Sequence, residues 1–222
     1  MRDIALSLIF VLTAAVAAAQ VSPYYYFDKD GTTLKTVYDG EGDVIGEQEY
    51  SVVSGDGTRV LGQNVITKPG KKSETTSCHY LCDEGRLMIA MGTNKEEKEV
   101  FLDYYSGMYP GSPLIEGIEF STQARVAGMK INVNCTISGR AVTATDESIA
   151  SGQRHWKCVR TEYDMELRSS FLGIPVNVHI IEWFAPGVGV VRTDVYRKGK
   201  LYEKRLLTGF RSSGTESLAT NL

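Results

Sequence analysis

Hydrophobic and polar side chains alternate in short segments along most of the chain, and Gly, Asp and Pro separate the segments. In Thr161–Arg168 the apolar residues Tyr163, Met165 and Leu167 alternate with polar and charged ones, as in a strand with one buried face and one face in water. Breaks such as DGEGD, SGDGT and KPGKK recur about every ten to fifteen residues, a spacing typical of antiparallel hairpins. The pattern predicts a mainly β protein in which antiparallel hairpins form a curved sheet or half-open barrel, with a meander as the simplest topology.

One segment predicts a helix instead of a strand. In TNKEEKEVFLDYY, Thr93 precedes Glu96 by the three-residue spacing of a capping box, and the apolar residues Val100 and Phe101 suit one helical face. We therefore expect one short helix near residues 94–105, followed by a loop rich in Gly, Ser and Pro.

The C-terminal part of the chain predicts three further strands. The segment NVHIIEWFA has apolar residues on both sides of a strand, with Ile180 on one side and Ile181 and Trp183 on the other. Such a strand is either covered on both faces or contains a bulge near Ile181. The Pro186–Gly187 break ends this strand, and RKGK predicts the turn of a following hairpin.

The chain begins with MRDIALSLIFVLTAAVAAAQ, an apolar run that ends in the small residues Ala17 and Ala19. This layout predicts a secretory signal peptide over residues 1–19 and a periplasmic or secreted location. No Cys follows the cleavage point, so we expect no lipid anchor there, and the apolar run is too short for a membrane span. We expect a single mainly-β domain of one or two lobes over 20–211 and a frayed tail at 212–222.

The charge of the chain argues against a nucleic-acid partner. Its formal net charge is −3 at pH 7, its pI is about 5.7, and charges of both signs are scattered along it. The mature chain is long enough to bury a substantial core without disulfides. Its oligomeric state is left open by the sequence.

Four cysteines, Cys78, Cys82, Cys135 and Cys158, allow three disulfide connectivities. Cys78 and Cys82 would lie about 13 Å apart in one regular strand, too far for a bridge. A bridge between Cys135 and Cys158 is geometrically open, and free buried thiols are an equal alternative.

The chain carries no recognisable catalytic or metal-binding motif. The spacing of Cys78, His79 and Cys82 is not that of a structural zinc site, and the acidic glycine-rich segments do not match a calcium loop. We therefore expect no metal, no cofactor and no enzymatic activity. An enzyme would depend on Cys158 as nucleophile with His155 or His179 beside it.

Aromatic residues are the main candidates for ligand contact. Tyr24, Tyr25 and Tyr26 follow the predicted cleavage point, and Trp183 and Phe184 lie in the strand-like segment near the C-terminus. They are expected either to line a groove for a sugar, a lipid or an apolar peptide, or to pack at sheet rims.

The segment EWFAPGVGVVRTDVYRKGKLYEKRLLTGF, Glu182 to Phe210, resembles the C-terminal signature of the TapB-like family of exported bacterial proteins. The Tyr-rich N-terminal segment and the block around Arg140, Trp156 and Cys158 are similar to other parts of that family. The resemblance implies a signal-bearing, mainly antiparallel β protein of the Gram-negative periplasm, without established catalytic residues or cofactor. The matching signature positions are Glu182, Trp183, Phe184, Ala185, Gly187, Val188, Gly189, Val191, Arg192, Tyr196, Gly199, Lys200, Leu207, Thr208 and Phe210.

These observations favour a non-catalytic exported β protein that binds an apolar or lipid-like ligand, or an envelope protein, through the concave face of its sheet. The alternative is a structural or adhesion-related envelope component that acts through exposed sheet edges. A thiol-dependent enzyme is the third hypothesis.

Overall fold

The computed structural model describes residues 31–55, 59–83, 86–103, 117–126, 129–151, 154–169, 173–185 and 188–211. The predicted signal peptide, Tyr24 to Tyr26, the Pro186–Gly187 break and the tail at 212–222 lie outside the described residues. Every regular element in the described part is a β-strand. The strands are β1 (Thr32–Asp39), β2 (Val44–Gly55), β3 (Arg59–Thr67), β4 (Glu74–Asp83), β5 (Arg86–Thr93), β6 (Glu99–Asp103), β7 (Ile118–Val126), β8 (Met129–Ser151), β9 (Arg154–Ser169), β10 (Pro175–Ala185), β11 (Gly189–Arg197) and β12 (Lys200–Arg211).

The strands pair into a closed antiparallel barrel. Most strands pair with their neighbours in sequence, β1 also pairs with β12, and β5 joins β4 to β7, so that eleven of the described strands form a ring. The strand β6 pairs with β5 outside this ring. The predicted mainly β fold of antiparallel hairpins is confirmed, and the β1–β12 and β4–β5 pairings close the curved sheet.

The predicted helix near residues 94–105 is wrong. Residues 94–98 form a tight turn between β5 and β6, and Glu99–Asp103 is a strand; the last two residues of the prediction lie outside the described part. Asn94, rather than the expected cap Thr93, holds the local backbone: its Oδ1 accepts hydrogen bonds from the N–H groups of Glu96 (2.9 Å) and Lys98 (3.0 Å). An Asn side chain that satisfies the backbone in this way favours a turn over a helix.

The three predicted C-terminal strands are confirmed as β10, β11 and β12. Lys198 and Gly199 form the turn between β11 and β12 with φ of 52° and 74°, the left-handed conformation of a tight hairpin turn. In β10 both faces are covered, because Trp183 and Phe184 point to opposite faces and are 6% and 0% exposed.

One hydrophobic cluster fills the space inside the ring. It takes buried side chains from strands on opposite sides, including Tyr50 of β2, Tyr80 of β4, Ile137 of β8 and Phe184 of β10. A second cluster contains Trp183, and Trp156 packs against it. No helix in the described part is long and apolar enough to cross a membrane.

Candidate functional site

Charged side chains from three strands line a cavity of about 140 Å³ inside the ring. They are Lys35 of β1, Glu182 of β10 and Arg205 of β12. The register explains their meeting: Glu182 lies opposite Thr193 on β11, and Thr193 lies opposite Arg205 on β12. Because side chains of directly opposed residues share a face, these groups point to the same side as Phe184, two residues from Glu182.

The carboxylate of Glu182 is in a poorly hydrated position. Burial raises its pKa, and the positive charges of Lys35, Arg205 and Arg140 oppose that rise. Tyr163 donates a long hydrogen bond of 3.4 Å from its hydroxyl to Oε2 of Glu182. The carboxylate is therefore balanced by several cations around it.

Burial also changes the protonation of Lys35. It lowers the pKa of the ammonium group to about 8; attraction to Glu182 opposes this effect and repulsion from Arg205 adds to it. In the described part of the chain Lys35 has no carboxylate within 4.0 Å. Its charge thus faces the cavity without a direct ion pair.

The guanidinium of Arg205 is held by its own strand and by β2. Its Nε donates to Glu203 Oε1 (2.7 Å) and its Nη1 donates to Gln48 Oε1 (3.4 Å). A further interior cation, Arg140 of β8, is 1% exposed. Among the described side chains, Lys35, Arg140 and Arg205 act on the carboxylate of Glu182, and Arg205 also pairs with Glu203.

A larger crevice of about 540 Å³ lies where β3, β4 and β6 meet near the end of β2. Leu61, Leu81 and Phe101 give it apolar walls. Polar groups are also present: His79 Nδ1 lies 3.1 Å from Glu99 Oε1, and Arg59 is exposed beside them. The crevice thus combines apolar walls with a charged margin.

The structure separates the two aromatic residues predicted as ligand contacts. Phe184 borders the interior cavity, whereas Trp183 lies on the other face, where the guanidinium of Arg192 stacks 4.6 Å from the ring centre. Tyr24, Tyr25 and Tyr26 lie outside the described residues. The role of all five in ligand contact stays a prediction.

The interior charges were not predicted from the sequence. Glu182 stands between the apolar residues Ile180 and Phe184 of one strand face, and Lys35 stands between Thr33 and Val37, which are both buried. A charged residue that lies between two apolar or buried residues on the same strand face can be recognised from the alternation in the sequence. It indicates an interior polar cluster only once the strands are known to close on each other.

Three cysteines, Cys78, Cys135 and Cys158, are free thiols. The Cys135–Cys158 bridge, which the sequence left open, is therefore not formed. The side chain of Cys82 lies outside the described part. His155 is exposed, and His179 Nδ1 lies 3.0 Å from Asp164 Oδ1. Within the described residues, no three His, Cys, Asp or Glu side chains are grouped as metal ligands.

Comparison with known proteins gives a family and a fold. A family model described as DUF3108-like matches residues 29–207, a range that includes most of the C-terminal signature but does not carry the TapB-like description. A "putative lipoprotein" from Parabacteroides distasonis ATCC 8503 has a TM-score of 0.69 at 19% identity, over 86% of this chain and 99% of that one. A "putative exported protein with YmcC-like fold" from Bacteroides fragilis NCTC 9343 has a TM-score of 0.60 at 15% identity, over 85% and 98%. No curated protein sequence matches the chain.

Proposed function

This chain belongs to the DUF3108-like family, and from that premise we propose that it is an exported, non-catalytic β protein that binds a lipid-like ligand in the crevice between β3, β4 and β6. The crevice carries the proposal. Its volume of about 540 Å³ and its apolar walls are those of a small-molecule site, in which a few polar groups orient the ligand.

The export part of the proposal rests on the N-terminal sequence. Residues 1–19 have the layout of a signal peptide. Two solved structures of similar fold are described as a "putative lipoprotein" and a "putative exported protein", which agrees with a periplasmic or secreted location for this chain.

The chemistry of the crevice favours an amphiphile with an acidic end. Leu61, Leu81 and Phe101 offer an acyl chain an apolar surface, and burial of that chain would supply most of the binding free energy. Arg59 lies beside these walls, where its guanidinium can meet a carboxylate. A fatty-acid-like molecule meets both requirements.

We expect Leu81→Glu to weaken binding of a fluorescent long-chain fatty acid at least about tenfold, because the new carboxylate would be desolvated by the acyl chain and would repel its head group. Binding is measured by fluorescence titration of the purified full chain. The matched control is Val44→Glu, at a residue that is 58% exposed and away from the crevice. Equal affinity in the two variants, or no binding by the unaltered chain, contradicts the proposal.

A structural envelope component is the second candidate, and one observation favours it. The strand β6 pairs with β5 alone among the described strands, so it offers an edge to which another chain can add a strand. Pull-down from envelope extracts separates the two functions: a stable protein partner favours the edge, and co-purified lipid favours the crevice.

We expect Cys135 and Cys158 to resist alkylation in the folded protein. Burial raises the pKa of each thiol to about 11, so only roughly a thousandth of each is thiolate at pH 8. Iodoacetamide labelling followed by peptide mass spectrometry measures this, with the urea-unfolded protein as the fully reactive control. Rapid labelling of Cys158 at pH 8 in the folded protein would argue for a thiol-dependent enzyme instead.

A further inference from the structure

Five turns lie at one end of the ring. They connect β1 to β2, β3 to β4, β7 to β8, β9 to β10 and β11 to β12. The strands from β7 to β12 and on from β1 to β4 follow one another as antiparallel neighbours, so every second connection lies at the same end. We call this end the turn rim, and its described residues are 39–44, 67–74, 129–130, 173–175 and 197–202.

Large apolar side chains protrude from the turn rim. In the described part of the chain, five large apolar side chains are more than half exposed, and four of them belong to this rim. The fifth, Val53, lies at the opposite end of β2. Single exposed apolar residues are ordinary on a protein surface, but their concentration at one end indicates a contact surface. The four are Val44 (58% exposed), Met129 (54%), Ile174 (72%) and Tyr202 (56%).

These four side chains form a row of separate contacts. They lie at or next to the first residues of β2, β12, β10 and β8, which are every second strand of the ring. Neighbouring strands are about 4.8 Å apart, so successive side chains are about 10 Å apart and the row is about 30 Å long. A protein partner usually buries a continuous apolar core, whereas separate apolar side chains can each enter a fluid lipid layer. The spacing therefore favours a membrane surface.

The turn rim is positively charged, although the chain as a whole is negatively charged. Its five ranges contain seven Lys or Arg and four Asp or Glu, whereas the formal net charge of the chain is −3. One of the four carboxylates, Asp39, is engaged within the β1–β2 turn, because its Oδ1 accepts hydrogen bonds of 2.9 Å from the backbone N–H groups of residues 41–43. The charge of the rim therefore complements anionic lipid head groups. The exposed cations are Lys71, Lys72, Lys130, Arg197, Lys198 and Lys200.

We propose that the turn rim docks the protein on an anionic membrane surface, with its four apolar side chains between the lipid head groups and its cations against the phosphates. Apolar burial and attraction to anionic lipids act together in such peripheral binding. Tyr202 suits the head-group level, since its ring is apolar and its hydroxyl stays hydrated. The guanidinium of Arg197 lies 6.0 Å from the centre of that ring and places a positive charge beside it. The crevice lies near the opposite end of β2 and β3, so this docking does not depend on the function proposed above.

The test is cosedimentation of the purified full chain with vesicles of phosphatidylcholine and phosphatidylglycerol and, separately, of phosphatidylcholine alone. We expect tighter binding to the anionic vesicles. Ile174→Glu and Lys200→Glu are each expected to weaken that binding at least about fivefold, because each removes a favourable contact and adds a negative charge at the membrane surface.

The matched controls lie at the opposite end of the ring. They are Val53→Glu in β2 and Lys157→Glu in β9, both at exposed residues, and they are expected to bind as the unaltered chain does. All variants have the same N-terminus, so any contribution of residues 1–19 cancels in the comparison. Equal affinity for the two vesicle types, or rim variants that bind like the controls, overturns the proposal. If the unaltered chain does not bind anionic vesicles, the proposal is also overturned, and an acidic protein surface becomes the expected partner of the rim.

A tryptophan at the turn rim reports insertion directly. Emission from Tyr202→Trp is expected to shift to shorter wavelength when anionic vesicles are added, because the indole leaves water for the head-group layer. Val53→Trp is the control, and its emission is expected to stay unchanged. An unchanged emission of Tyr202→Trp, or an equal shift in both variants, contradicts docking through this rim.

Discussion

Replacing Phe184 with alanine is expected to lower the free energy of unfolding by about 3–5 kcal/mol, the largest effect of any substitution considered for this protein. Phe184 has no exposed surface and packs in the cluster that fills the ring. Its loss removes the transfer free energy of the ring and leaves a void. Neighbouring strands cannot collapse into that void because they are fixed in the closed ladder.

Urea unfolding, followed by circular dichroism, measures the effect. The control is Phe101→Ala, because Phe101 is only partly buried beside the outer crevice and its removal leaves a space that water can enter. We expect Phe101→Ala to lower the free energy of unfolding by less than half as much as Phe184→Ala does. A loss below about 1 kcal/mol in Phe184→Ala would mean that the interior cluster does not hold the ring together.

The second large effect is expected at Gly92, where the ring closes. A Cβ added there would overlap the carbonyl oxygen of Ser121 and lie 3.0 Å from the buried ring of Phe120. Both contacts belong to β7, and the single pairing of Thr93 with Ser121 joins β5 to that strand. Because the obstacle is backbone, Gly92→Ala must move a strand, at a cost of about 3 kcal/mol.

Gly209→Ala is the matched control for this substitution. Its added Cβ would meet only the Leu34 side chain, at 3.3 Å, and alanine also restricts the unfolded chain more than glycine does. We expect Gly209→Ala to change the free energy of unfolding, measured with urea, by less than about 1 kcal/mol. Hydrogen exchange adds a local readout, because amides of β5 and β7 are expected to lose protection in Gly92→Ala. Unchanged protection of both strands would contradict a closure at this point.

The alternation of side chains accounts for how well the strands were predicted. In β9 the buried Tyr163 and the exposed Asp164 follow the pattern in the sequence, because successive side chains of any strand point to opposite faces. The covered second face of β10 is also visible in the sequence, as apolar residues at both parities. Prediction from local pattern failed at residues 94–98. There the side-chain amide of Asn94 determines the backbone conformation, and the capping-box spacing of Thr93 and Glu96 has no effect on it.

The candidate sites were less accessible to prediction. Trp183 and Phe184 were predicted together as ligand contacts because they are adjacent aromatic residues. Adjacent residues of a strand, however, point to opposite faces. Lys35 and Arg205 share the interior cavity although 170 positions separate them along the chain, which follows only from the pairing of β1 with β12. The crevice similarly needs Leu61, Leu81 and Phe101 to be brought together from three strands.

The sequence by itself determined most of the strands and of their turns and the all-antiparallel character of the fold, because alternation and turn chemistry are properties of neighbouring residues. Only the tertiary structure decided that the sheet closes into a ring and that its interior holds Lys35, Glu182 and Arg205 around a cavity. Closure depends on pairings between strands distant in sequence, and the free energy of a buried charge depends on the groups that those pairings place beside it.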